Sequence, residues 1–337
     1  MTAASPALLV AVLAAFVGLD GIGRGTALRA VTGTAGRDRG LVLAGTGPQL
    51  LLGHVWMVAA AGLLVGLFPR WESAVVASAY WWVLAIAAGL VLRVAALGVA
   101  ALGIPRPGAR TGTGPNAVRS ALAATGALAT AAGTGGFLAV AAGVWPVLGV
   151  PAVIGFDVVV SGWALGVRVP MWTLALVGAL LVVPAVVLAA GGAVLGAAVV
   201  AVLVVAGVLL ARRPVFAGTL LATAAVAPMV ARWPDLAVPG SGTVPVAELV
   251  TSPAGAALVT GVAGPTFVLV LAVQIWFWRG AGPGPGSSGP AASGAIPLGP
   301  GPSGPTSLGA VPADAASPGA GPLDQAPPAP APSGPDR

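Results

Sequence analysis

The chain has 337 residues, of which 57% are hydrophobic and only 7% charged, against about 25% charged in an ordinary soluble domain, so a soluble globular protein is all but excluded. All 15 basic residues are Arg, against 9 acids, for a net charge of +6. Cys is absent and His54 is the only histidine, which excludes disulfides, thiolate metal sites, covalently attached c-type haem, and a haem held between two histidines of this chain.

Residues 1–280 form a series of long apolar runs. A helix needs about 20 apolar residues to cross a hydrocarbon core of ~30 Å. The runs are continuous rather than alternating, so they predict helices and not a β-barrel. The first helix is predicted over 5–22. No Arg precedes Arg24, so the basic start of a signal peptide is missing and this helix is read as an uncleaved span. Further helices are predicted over 47–68, 74–102 and 117–143. The next, 147–167, is weaker because Pro151 and Asp157 interrupt it. The last four are predicted over 172–190, 192–211, 215–231 and 254–278. From Ala281 to Arg337 the chain is Gly, Pro, Ala and Ser, holds 15 of the 32 prolines and has no aromatic residue. That composition cannot offset the entropy of ordering, and predicts a disordered tail.

Arginine placement sets the count and the orientation, because short cytoplasmic loops attract Arg. With the N-terminus outside and 147–167 spanning, 11 Arg lie inside, against Arg70 and Arg232 outside. The expectation is an all-α integral membrane protein of about nine helices, with the tail cytoplasmic. Trp71, Trp145 and Trp233 then fall at the outer interface, and Trp172, Trp276 and Trp278 at the inner one. Arg24, Arg29, Arg37 and Arg39 fall in the first cytoplasmic loop.

Ionisable groups inside the predicted spans are few: Asp20, His54, Arg93 and Asp157. An Arg or Asp at mid-helix costs about 2.5–3.5 kcal/mol on insertion scales. Asp20 lies at the inner end of the first helix. At 1.5 Å per residue, His54 lies about 10 Å from the inner start of the second helix and Arg93 about 29 Å from the outer end of the third. Three helices therefore bring Asp20, His54 and Arg93 to a similar depth, where an Asp20–Arg93 pair would offset much of both penalties. Plainer roles stand beside this one: a helix-end cap for Asp20, snorkelling for Arg93, a neutral interior imidazole for His54 and a loop position for Asp157. No nucleophile, base and orienting group come together, so hydrolytic catalysis is not supported. The 51 Gly make Gly-x-x-x-Gly patterns that mark close helix packing, not nucleotide binding. The Arg excess reflects orientation in the membrane, not nucleic-acid binding.

An ordered set of local patterns resembles subunit II of the cytochrome bd quinol oxidases. The first helix ends Leu19-Asp20-Gly21 with Gly25 following, similar to that family's Leu-Asp-Gly-Phe-Asp-x-Gly. The second opens Gly47-Pro48, continues to Val55-Trp56 and ends Phe68-Pro69, and the third carries Leu92-Arg93. Later come Arg213-Pro214, Trp233-Pro234, Ser252-Pro253 and Gln274-Ile275-Trp276. The resemblance implies nine helices, as two four-helix bundles and a peripheral helix. It implies that this chain binds no haem and supports subunit I, whose two b-type haems and one d-type haem oxidise quinol and reduce O2. Its partners would be that subunit, membrane lipid and quinone, in a bacterial plasma membrane. Two acids of the family pattern are replaced, by Gly23 and Leu51; the second is thought to serve proton delivery. His54 would then be the group able to titrate near neutral pH in its stead. The alternative expectation is an orphan polytopic protein of the same fold, acting in assembly or small-molecule transport.

Overall fold

The structure, a computed structural model, describes residues 4–32, 46–102 and 114–280, with side chains over 6–31, 53–97 and 118–272. The predicted tail over 281–337 lies outside the described residues, as do Arg37, Arg39, Arg106 and Arg110. Gly47, Pro48, Gln274 and Trp276 lie on described helical backbone, with side chains outside the description.

An apolar chain with no water to bond must satisfy its backbone internally, and 84% of the described residues are helical. The helices are α1 (Ala4–Thr32), α2 (Thr46–Leu67), α3 (Pro69–Ser78), α4 (Tyr80–Leu102), α5 (Gly114–Ala141) and α6 (Pro146–Ala164). They continue as α7 (Met171–Ala190), α8 (Val194–Leu209) and α9 (Pro214–Val226), then a short hairpin of β1 (Asp235–Val238) and β2 (Gly242–Pro245), α10 (Val246–Leu249) and α11 (Pro253–Gly280). Proline opens α3, α6, α9 and α11, where a missing N–H costs nothing. Gly143 and Gly192, at φ +68° and +88°, follow the ends of α5 and α7 in the left-handed conformation that closes a helix.

Six helices contain stretches long and apolar enough to cross a membrane: Pro6–Val31, Tyr80–Leu97, Val118–Ala141, Pro146–Ala164, Met171–Ala190 and Pro253–Ala272. Over the described residues, Gly53–Leu67, Val194–Leu209 and Pro214–Val230 are apolar but shorter. The protein is therefore a helical, multi-pass, membrane-embedded chain. α1 is its centre, packing against α2, α5, α6 and α9. α4 lies on α5, α5 on α6, and α7 on α8.

The structure departs from the sequence expectation in three places. α1 does not stop at residue 22 but runs to Thr32, so Arg24 and Arg29 are helical rather than in a loop. The predicted 74–102 helix is two: α3 carries Arg70 and Glu72 and ends at Ser78, and α4 starts at Tyr80. The weaker 147–167 segment is a helix as expected, over Pro146–Ala164, because Pro151 removes only one ladder bond and Asp157 meets an arginine. The third departure is the antiparallel hairpin, pairing Asp235 with Pro245 and Leu236 with Val244.

The hairpin marks one end of the bundle. Trp71 Nε1 donates to Ala237 O at 2.8 Å, and Thr251 N donates to Leu67 O at 3.0 Å. Gly143 packs on Ala237, Gly191 on the Arg232 guanidinium and Gly196 on the Ala231 carbonyl. The α2–α3, α5–α6, α7–α8 and α9–β1 connections thus gather at the same end. Trp145 is 77% exposed there, as an interfacial aromatic should be, but Trp71 is fully buried under the hairpin. Trp71 is a core residue and not part of an aromatic belt, because α3 turns its apolar face, Trp71 and Val75, inward.

Candidate functional site

Asp20 and Arg24 stand four residues apart on α1, so they share one helix face. Arg24 Nη1 donates to Asp20 Oδ2 at 2.7 Å. Its other edge reaches α6, where Nε and Nη2 donate to Asp157 Oδ2 and Oδ1 at 2.7 and 2.9 Å. This bidentate geometry is the strongest an Arg–carboxylate pair adopts. From α4, Arg93 Nη1 donates to Asp20 Oδ2 at 2.9 Å, and Nη2 lies 2.8 Å from Oδ1. The four charges alternate in a row, Arg93–Asp20–Arg24–Asp157, and cancel. None is more than 5% exposed, so the row is dry. The Arg24 guanidinium also lies 5.7 Å from the Phe16 ring centroid, within cation–π range.

Small residues make this meeting possible. A Cβ on Gly25 would overlap the Asp157 backbone carbonyl and the Ser161 hydroxyl, and one on Gly21 would lie 2.7 Å from Asp157 Oδ1. Gly21-x-x-x-Gly25 is thus the stripe on which α6 seats itself against α1. On the opposite side, a Cβ on Gly53 of α2 would lie 2.6 Å from Asp20 Oδ1. α2 therefore closes over the carboxylate with bare backbone. About one and a half turns beyond Arg24, Arg29 Nη2 donates to Val158 O at 2.7 Å and Nε to Ser161 Oγ at 3.2 Å, a second tie between α1 and α6.

Asp20 and Arg93 are brought into direct contact. His54 is half-buried on α2, next to the Gly53 that covers Asp20. Trp56 is buried and stands edge-on to Phe267 of α11, with ring centroids 5.2 Å apart, so the second helix is joined to the last. The sequence reading missed Arg24 as a site residue and, although it placed Asp157 inside a predicted span, left it out of the cluster with Asp20, His54 and Arg93. A signal for Arg24 existed: it follows Asp20 at the i+4 spacing of a helical ion pair. Nothing local pairs Asp157 with a residue 133 positions away.

Chemically, every acid in the row faces an arginine and every arginine faces an acid. Among the described residues, no group of three His, Cys, Asp or Glu side chains could hold a metal ion. What the arrangement does is tie α1, α4 and α6 together through alternating charge. No family model matches the chain, and no curated protein matches it.

Proposed function

We propose that the chain is the haem-free subunit II of a bd-type quinol oxidase, in a bacterial plasma membrane. It crosses the membrane nine times, through α1, α2, α4, α5, α6, α7, α8, α9 and α11, with the N-terminus outside and the 281–337 tail disordered in the cytoplasm. Its role is to support the haem-bearing subunit I, which holds two b-type haems and one d-type haem, oxidises quinol and reduces O2. One observation supports this reading above others. Asp20, Gly21, Gly25 and Arg93 belong to motif segments far apart in sequence, yet they converge on one buried point, with Gly53 of the intervening segment packed on Asp20. The row fixes the relative positions of α1, α4 and α6, and His54 stands beside it as the candidate polar member from α2.

A second reading, an orphan membrane protein in assembly or transport, is favoured by the acids replaced at Gly23 and Leu51. Purification from native membranes in mild detergent separates the two. A subunit II co-purifies with a haem-bearing chain that shows d-type absorption at the red end of the spectrum. A colourless, stable protein without that partner overturns the oxidase reading.

A further inference from the structure

A cavity of about 30 Å3 lies where α5, α6, α7 and α9 meet, towards the hairpin end. It exists because small residues bring two helices too close for side chains to fill the space beside them. Gly135 of α5 and Gly149 of α6 each press on the other's backbone carbonyl. Pro184 within α7 and Pro228 just after α9 interrupt the ladders of the other two walls. Every one of the thirteen lining residues is Gly, Ala, Val, Leu or Pro. Ten of them are buried; Gly149, Pro184 and Ala225 are half-buried and form the side nearest the surface.

On this measure a single water needs about 10–15 Å3, together with two to four polar partners. The volume is sufficient, but no lining side chain offers a hydrogen bond and only backbone carbonyls freed by the prolines could accept one, so water would find few of the partners it needs. We infer that this cavity is a binding site for one small apolar molecule of the size of dioxygen. Such a molecule gains dispersion contacts from all four walls and gives up no hydrogen bond on entry. It arrives already dissolved in the hydrocarbon around the helices, and its route is the half-buried side at Gly149, Pro184 and Ala225. The inference stands apart from the oxidase reading, because it rests only on the walls.

The test uses the full chain in nanodiscs with 13C-labelled alanine methyls, under xenon and then dioxygen pressure. Saturable xenon shifts are expected at Ala139, Ala152 and Ala224, and not at Ala127 and Ala217, which are equally sheltered but do not line this cavity. Under dioxygen, the same three methyls should relax faster than the two controls. Ala152→Leu fills the space and should abolish the xenon shifts at Ala139 and Ala224. Shifts spread evenly over all five methyls, or shifts that persist in folded Ala152→Leu, overturn the inference. The comparison among wild-type methyls decides the matter even if Ala152→Leu does not fold.

Discussion

The two arginines of the buried row carry unequal loads, and this sets how the site responds to substitution. Arg24 holds both carboxylates, whereas Arg93 holds only Asp20. Arg24→Met strands Asp157, and an uncompensated buried charge costs about 3–5 kcal/mol. Thermal unfolding in detergent, followed by tryptophan fluorescence, should show that loss. The pair Arg24→Met with Asp157→Leu leaves Arg93–Asp20 balanced and should cost less than Arg24→Met alone. If the two losses simply add, the charges are not coupled. Gly25→Ala should also prevent normal folding, since its methyl would occupy the Asp157 carbonyl, while Gly62→Ala, with open space around it, should be neutral or slightly stabilising. Expression and monodispersity on size exclusion distinguish them. At this scale the Asp20–Arg93 encounter was legible in the sequence, because rise per residue converts position into depth. The role of Arg24 was not, because the apolar run ends before it and an arginine there reads as the start of a loop.

Among the elements, α3 and the hairpin form a unit that length and hydropathy do not reveal. Trp71 is its pin, buried and bonded to Ala237 O. Trp71→Phe keeps most of the apolar bulk but leaves that carbonyl without its donor. The expected cost is about 1–3 kcal/mol, with faster amide exchange across β1 and β2. Unchanged exchange there would show that the hairpin holds itself. The long helices were legible because a run of twenty apolar residues admits few other structures. The break at Ala79 was not, since a single Ser78 beside it is a weak signal within a long stretch of mostly apolar residues. Four-residue strands are likewise too short to display a two-residue period.

For the whole molecule, the absence of cysteine makes topology measurable without background. Ser241→Cys, in the hairpin, and Val167→Cys, between α6 and α7, lie at opposite ends of the nine-helix arrangement proposed above. A membrane-impermeant thiol reagent on intact cells should label the first and reach the second only after permeabilisation. Labelling of both from one side would refute the alternation of the helices. The alternating row has a further consequence for a protein that lives in an electric field. Moving one elementary charge through 100 mV involves about 2.3 kcal/mol. Two positive and two negative groups displaced together do no net electrical work, so the row adds nothing to the voltage response of α1, α4 and α6, which is left to charges outside it such as Arg29. Deprived of one member, the row would carry a net charge into the same shift.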